Sequence, residues 1–159
     1  MPMEKFRILA SVIHAHDDHT VTGRVRLQKT VRLLQRMGLP TDYGFRLHFH
    51  GPYSEDAQAD VALLESLGIV TESHGDQGYV YTAIDSALLA DLGVFQYAVD
   101  RMQAEDAVCL ELAATYDAYR EMGQDHAGAL ESMRRKKSRK WTQGCEDRAL
   151  ALLEEFSLL

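Results

Sequence analysis

The sequence predicts a mainly α-helical protein with a small β-hairpin, an α+β fold in which a winged helix-turn-helix-like N-terminal core precedes a C-terminal helical bundle. Apolar residues recur at helical spacing through most of the chain. Two short runs rich in β-branched and aromatic residues flank a polar, glycine-containing turn between positions 69 and 84. The predicted order of two helices, a short strand, a third helix and a hairpin is that of a winged helix.

Length and composition indicate one core with an appendage. With 159 residues, of which 46% are apolar and 26% charged, the chain has a globular composition and enough surface to bury. We assign a winged-helix-like core to residues 1–85 and a helical extension, packed on that core within one compact domain, to residues 86–159. Two cysteines, no apolar run of about 20 residues and no signal-peptide pattern predict a cytoplasmic protein with no membrane partner.

Two amphipathic helices are predicted before position 40. The first spans about residues 3–16, and its apolar stripe consists of Phe6, Leu9, Ala10 and Ile13. The second begins at a cap provided by Thr20 or Thr22 and ends near Met37; its inner stripe consists of Leu27, Val31 and Leu34. On its opposite side we expect a solvated face or a contact with phosphates or an acidic partner, formed by Lys29, Arg32 and Arg36.

A short strand and a turn lead into the third helix. The alternation from Phe45 to Phe49 predicts a half-buried strand, whose pairing Pro52 is expected to end. Gly51, Pro52 and Ser54 form a structural turn, in which Ser54 caps the helix. The core stripe of that helix consists of Ala57, Val61 and Leu64. Strands at 69–73 and 79–84 around a five-residue loop then form the hairpin.

Four helices are predicted in the C-terminal segment. Their apolar residues are Leu88, Leu92, Phe95, Val99 and Met102; then Val108, Leu112, Tyr119 and Met122; then Ala127 and Leu130; and finally Ala149, Leu153 and Phe156. Apolar side chains outside these stripes suit a homodimer through this region, although burial inside a single bundle explains them equally well.

One string has the spacing of a metal site. It consists of His14, His16, Asp18 and His19, and it resembles the His-x-His-x-Asp-His pattern with which metallo-β-lactamase-like hydrolases bind zinc. That chemistry requires a strand before the loop and further ligands downstream. Because the preceding residues have helical period, we expect a solvated helix end and assign no metal and no cofactor. A metal-binding hydrolase is kept as the second alternative function.

Three motifs resemble those of a known family. They are Gly23-Arg24-Val25-Arg26-Leu27-Gln28-Lys29, His48-Phe49-His50-Gly51-Pro52-Tyr53-Ser54 and Leu64-x-x-Leu67-Gly68-Ile69-Val70. Over about residues 4–85 they make the chain similar to the YwgA-like family of small prokaryotic proteins and to the broader Panacea (SocA-like antitoxin) domain. The resemblance implies a winged-helix-like core. For Panacea relatives it also implies neutralising or tethering a toxin, sometimes as an adaptor, and it brings no catalytic residues.

The charge distribution argues against DNA binding by the third helix. None of the 17 Lys and Arg residues lies between positions 47 and 100, which hold nine of the 24 Asp and Glu residues. The presumed recognition helix carries only negative charges, which DNA phosphates would repel; they are Glu55, Asp56, Asp60 and Glu65. A DNA-binding transcriptional regulator is therefore the first alternative rather than the main prediction.

The main prediction is a non-enzymatic protein that acts by protein–protein interaction with a basic partner, as an antitoxin, adaptor or regulator of a prokaryotic defence or toxin system. We predict the interaction site at Tyr53, Glu55, Asp56, Asp60 and Glu65. A solvated acidic surface without a special use is the competing interpretation. No Gly-rich phosphate loop, nucleophile elbow or paired-carboxylate signature points to an enzyme.

A basic segment near the C-terminus is a second candidate surface. It consists of Arg134, Arg135, Lys136, Lys137, Arg139 and Lys140, and Trp141 follows it. These cations beside an aromatic ring suit weak nucleic-acid contact. The competing interpretation is a charged connector between helices with Trp141 packed in the core.

Overall fold

The computed structural model describes residues 4–84 and 89–159 of the chain. In this part, seven α-helices, a short 3-10 helix (Asp17–His19) and two small antiparallel sheets form an α+β fold. The helices are α1 (Lys5–His14), α2 (Arg24–Arg36), α3 (Glu55–Ser66), α4 (Phe95–Gln103), α5 (Ala107–Glu121), α6 (His126–Lys136) and α7 (Gln143–Glu155). The strands are β1 (Thr20–Thr22), β2 (Arg46–His48), β3 (Gly51–Tyr53), β4 (Val70–Gly75) and β5 (Gly78–Ala83).

Strand β5 is the centre of the larger sheet. It pairs antiparallel with β4 on one side and with β1 on the other, so the strand order is β1-β5-β4. Strand β1 was not predicted, and Thr20 or Thr22 was expected to cap a helix. These threonines instead pair with Thr82 and Val80, and Gly23, with a φ of 101°, precedes α2. The predicted cap is therefore wrong, because both threonines belong to a strand.

The hairpin of β4 and β5 has longer strands than predicted. Gly75 pairs with Gly78, so the turn contains two residues, Asp76 and Gln77, instead of five. Gly78 has a φ of 99°. Because glycine adopts a positive φ without strain, β4 and β5 can stay paired up to this two-residue turn.

Residues 46–53 form a second hairpin where a single strand was predicted. Leu47 of β2 pairs with Pro52 of β3 around a turn at Phe49 and His50. Pro52 therefore does not end the pairing. A strand paired on one side only accommodates a proline, because the missing N–H can face away from the partner strand.

Gly51 and Pro52 were predicted in a turn into α3 but belong to strand β3, so that part of the prediction is wrong; contacts on two sides fix this segment and Ser54. Gly51 has a φ of 90° and lies against α5, where an added Cβ would meet Thr115 Oγ1 at 2.6 Å. Ser54 caps α3 as predicted, since its hydroxyl accepts a hydrogen bond of 3.1 Å from the Ala57 N–H. The Gln28 amide of α2 holds the Ser54 backbone through hydrogen bonds of 2.8 and 3.0 Å.

One cluster of buried apolar side chains includes residues of both predicted segments. The predicted stripes of α1, α2, α3 and α7 are buried, apart from Phe6, which is half-buried. Helix α5 packs against α2, α6, α7 and β3 and brings the N-terminal and C-terminal helices together. No helix among residues 4–84 and 89–159 combines the length and the apolar character that a bilayer crossing requires.

Three C-terminal helices differ from the prediction. In α5, Met122 of the predicted stripe lies just beyond the helix end and is 60% exposed. Helix α4 begins at Phe95, so Leu92 precedes it, and Leu88 lies outside the described residues. In α6 the buried side chains are Ala129 and Met133. The predicted stripe of α6 is therefore correct only in part: Leu130 is half-buried and packs against the core, whereas Ala127 is exposed.

Replacing Gly51 with Ala is expected to destabilise the fold more than the same change at Gly78. Both glycines have a positive φ, which costs an L-residue about 1–2 kcal/mol. Only at Gly51 does the new Cβ also meet another side chain, that of Thr115, whereas nothing lies within 4 Å at Gly78. Urea unfolding of both variants measures the difference. If both variants lose the same free energy of unfolding, the close approach of Gly51 to α5 does not contribute to stability.

Candidate functional site

The predicted interaction site lies on the outer side of α3 and just before it. Glu55, Asp56 and Glu65 are exposed, Asp60 is half-buried, and Tyr53 is half-buried at the end of β3. The buried stripe of α3 packs on α1 and β4, so these carboxylates point away from the core. The structure therefore leaves Glu55, Asp56 and Glu65 accessible, on different sides of α3, whereas Tyr53 and Asp60 are partly covered.

Asp60 differs from the other carboxylates of α3. Its Oδ2 accepts a hydrogen bond of 2.6 Å from the Tyr43 hydroxyl. Burial of the phenol and this hydrogen bond raise the pKa of Tyr43. In the described part of the chain no ion pair involves Glu55, Asp56 or Glu65, so these three are the accessible charges.

Two exposed leucines lie among the carboxylates of α3. Leu63 and Leu67 are one helical turn apart and are 41% and 55% exposed. Asp56 and Asp60 share their side of the helix, because the four positions follow the i, i+4, i+7, i+11 spacing. Glu65 projects from the other side. We call Asp56, Leu63 and Leu67 the α3 face.

A pocket of about 350 Å³ lies between the β2-β3 hairpin and the start of α3. Tyr53, Glu55 and Asp56 line it together with residues of the hairpin, which include Arg46 and His48. Their mixed charges suit a polar contact at the edge of the α3 face better than an apolar ligand.

The basic segment is not a uniform cationic surface. Residues 134–136 end α6 and residues 137–140 connect it to α7. Four of the six cations pair with carboxylates: Arg134 with Glu146 at 2.6 Å, Arg135 with Glu131 at 2.9 Å, and Lys137 and Lys140 with Glu111 at 3.2 and 3.1 Å. Within residues 4–84 and 89–159, Lys136 and Arg139 have no carboxylate partner. Trp141 is half-buried and donates a 3.0 Å hydrogen bond to Glu146.

Glu111 is the centre of a buried charged cluster that the sequence analysis did not predict. Its side chain is only 1% exposed and forms the ion pairs with Lys137 and Lys140. Lys29 of α2 is equally buried and donates a 2.5 Å hydrogen bond to the Pro52 carbonyl. Lys137 and Lys140 therefore pair with Glu111, and Lys29 lies close enough for the charge of Glu111 to affect its pKa. We call these four side chains the Glu111 cluster.

The pKa shifts in and beside the Glu111 cluster are caused mainly by burial, which disfavours the charged form of each cation. The pKa of Lys29 falls to about 7, mainly because the side chain is buried; the attraction of Glu111 opposes this shift, and the charges of Lys137 and Lys140 add to it. Burial likewise lowers the pKa of Lys137. Burial and the charge of Lys140 lower the pKa of His50, at the edge of the cluster.

The Glu111 cluster holds the tip of the β2-β3 hairpin. Lys137 Nζ donates to the Phe49 carbonyl at 2.9 Å, and Lys140 Nζ lies 3.2 Å from His50 Nδ1. The Phe49 ring itself is 82% exposed, although the alternation had placed it on the inner side of a strand. This prediction is wrong because Phe49 lies in the turn. A pocket of about 480 Å³ separates its ring from residues 136–140.

The predicted solvated basic face of α2 is also wrong. Lys29 and Arg32 are buried, because α5 packs against this side of α2. Asp117, whose side chain is fully buried, pairs with Arg32 at 3.2 Å and with Arg36 at 2.9 Å. Glu121 pairs with the same two guanidinium groups at 2.9 and 3.0 Å. Asp117 and Glu121 are four positions apart on the predicted fifth helix, so they lie on one side of it. This spacing is the sequence feature from which a contact with the basic side of α2 could have been predicted.

The structure does not assemble the histidine string into a metal site. The His14 and His19 rings stack with centroids 3.8 Å apart. His16 is buried beside the Val12 carbonyl, 2.7 Å from its Nδ1, and burial lowers its pKa. Asp18 is exposed. Among the residues described, no group of three or more His, Cys, Asp or Glu could hold a metal ion.

The titration of Lys29 predicts that stability rises with pH between about 7 and 9. Its pKa is about 7 in the folded protein against an ordinary value of 10.5. Above pH 7 the unfolded chain therefore binds more protons than the folded protein, and the free energy of unfolding rises with pH. Relative to Lys29→Met, we expect the wild-type protein to gain up to about 2 kcal/mol over this range.

Urea unfolding at several pH values measures this gain, with Lys136→Met as the control at an exposed lysine. The range ends at pH 9 because burial raises the pKa of Cys109 to about 12, so ionisation of this thiol opposes the trend at higher pH. If Lys29→Met retains the full pH dependence of the wild-type protein, Lys29 does not titrate on folding.

The chain is similar in sequence to a known bacterial protein. The chain is similar to "Uncharacterized protein YwgA" of Bacillus subtilis (strain 168), with 29% identity over 150 residues that cover 88% of this chain and 90% of that protein. No family model and no solved structure matches the chain. The similarity extends beyond residues 4–85, where the three motifs lie, and it confirms the YwgA-like part of the predicted resemblance. These comparisons do not show a relation to the Panacea domain.

Proposed function

We propose that this YwgA-like protein acts without catalysis, by binding a basic protein partner through the α3 face. The observation that carries the proposal is the combination of exposed Leu63 and Leu67 with carboxylates and no cation on the same helix. Apolar anchors beside charges of one sign suit a partner that presents apolar side chains flanked by Lys and Arg. An antitoxin, an adaptor or a regulator of a prokaryotic defence or toxin system acts in this way.

The proposal includes a winged-helix-like core. The element order α1, β1, α2, α3, β4, β5 and the strand order β1-β5-β4 support it, with β4 and β5 as the wing. The β2-β3 hairpin is then an insertion between α2 and α3. In this arrangement α3 occupies the place of a recognition helix.

Charge favours a protein partner over DNA at that helix. Glu55, Asp56 and Glu65 are exposed there, and the wing carries Asp76 at its turn. DNA presents one negative charge per about 1.7 Å of its axis, so groove entry by this helix brings like charges together. A DNA-binding regulator remains the alternative that the experiment below distinguishes.

An NMR titration with two probes tests the proposal. The first probe is a synthetic amphipathic peptide of Leu and Lys, and the second is a mixed-sequence DNA duplex. We expect the peptide to shift the amide signals around Leu63 and Leu67, with an affinity that decreases as salt screens the charges. The duplex is expected to leave α3 unchanged even at low ionic strength. Shifts of α3 caused by the duplex alone would refute the proposal.

Variants of the α3 face sharpen this test. Asp56→Lys and Leu63→Ser are each expected to weaken peptide binding about tenfold, equivalent to about 1.4 kcal/mol, because one reverses an attractive charge and the other removes an anchor. Glu154→Lys on α7 is the matched control, since it makes the same change of net charge at an exposed position elsewhere. If Glu154→Lys weakens peptide binding as much as Asp56→Lys does, the net charge of the protein alone governs binding.

A further inference from the structure

We propose that the pocket between Phe49 and residues 136–140 binds a nucleoside phosphate, with the ring of the base against Phe49 and the phosphate at Lys136 and Arg139. The ligand is either a free nucleotide or one nucleotide of a single strand. This site uses elements other than the α3 face, and it does not depend on the proposed protein partner.

The pocket has the size and the walls of a small-molecule site. Its volume of about 480 Å³ lies within the range of about 300–1,000 Å³ typical of such sites. Phe49 forms one wall and the connector forms the other. Lys137 joins the two walls, because its buried ammonium contacts both Glu111 and the Phe49 carbonyl. The backbone of the hairpin tip is therefore held beside the connector.

Positive charge at the pocket exceeds the available negative charge. Near pH 7, where Lys29 is only partly protonated, Lys137 and Lys140 still outnumber Glu111, so the ion pairs of the Glu111 cluster leave a positive excess. Lys136 and Arg139 also line the pocket, and neither has a carboxylate partner in the described part of the chain. A phosphate group supplies the missing negative charge, and a guanidinium binds it with two parallel hydrogen bonds.

The exposed ring of Phe49 indicates the second half of the ligand. An aromatic side chain that is 82% exposed at the tip of a fixed hairpin offers a flat surface to a planar group. Bases stack on such rings with little dependence on sequence. Inorganic phosphate would use the cations alone, and an apolar ligand would use the ring alone. A nucleotide uses both walls.

Isothermal titration calorimetry at low ionic strength tests the site with adenosine monophosphate, adenosine, inorganic phosphate and a short single-stranded oligoadenylate. We expect the monophosphate to bind about tenfold more tightly than adenosine or phosphate, because only it reaches both walls. An oligoadenylate that binds more tightly still identifies a single strand as the source, and equal affinity identifies a free nucleotide. If neither the monophosphate nor the oligoadenylate binds, the proposal is wrong.

Three variants assign the binding to this pocket. Lys136→Ala and Arg139→Ala are each expected to weaken binding of the monophosphate about fivefold or more, with a smaller salt dependence. Phe49→Ala is expected to abolish the preference for the monophosphate over inorganic phosphate. Because all three side chains are exposed, we expect thermal unfolding of these variants to match that of the wild-type protein.

Arg135→Ala is the matched control. Arg135 is an exposed cation in the same segment, but it pairs with Glu131 and does not line this pocket. We expect its replacement to leave the affinity for the monophosphate unchanged. If Arg135→Ala weakens binding of the monophosphate as much as Arg139→Ala does, the affinity depends on the total charge of the segment and not on the pocket.

Discussion

The burial of Glu111 requires three distant parts of the chain to meet. A buried carboxylate is tolerated only where cations and hydrogen bonds compensate for the water it has lost, and removing one partner of such a pair commonly costs about 3–5 kcal/mol. Lys137 and Lys140 of the α6–α7 connector supply that compensation. Lys29 of α2 joins the same cluster and holds the Pro52 carbonyl of β3. The cluster therefore determines where the hairpin lies on α5.

Both candidate surfaces depend on this placement of the β2-β3 hairpin. Its turn carries Phe49, whose carbonyl Lys137 holds, and this contact forms the pocket beside the connector. Its second strand leads into Ser54, whose hydroxyl begins α3 and so orients the α3 face. A change in the Glu111 cluster is expected to disturb both surfaces through one segment of backbone. The Glu111 cluster thus holds the hairpin in place, whereas the side chains proposed to contact ligands belong to the pocket and to the α3 face.

The internal ion pairs also explain the contrast between the two surfaces. Arg32 and Arg36 are neutralised by Asp117 and Glu121 between α2 and α5, so the positive charge of α2 does not reach solvent as a basic face. Three carboxylates of α3, those of Glu55, Asp56 and Glu65, have no such partners in the described part of the chain and are exposed. Among the cations of the basic segment, only Lys136 and Arg139 stay unpaired within the same described residues. The protein therefore presents an acidic, apolar face in one place and a cationic pocket in another.

The sequence by itself determined the helices and most of their buried stripes, the Ser54 cap and the accessible charges of α3. These features depend on neighbours within about one or two helical turns, which periodicity and capping patterns report directly. Only the tertiary structure decided that β1 pairs with β5, that Lys29 and Arg32 are buried, and that Phe49 faces solvent. Each depends on a partner that lies tens of residues away. An alternating or helical pattern identifies the inner side of an element, but it does not say which cation a distant carboxylate will neutralise.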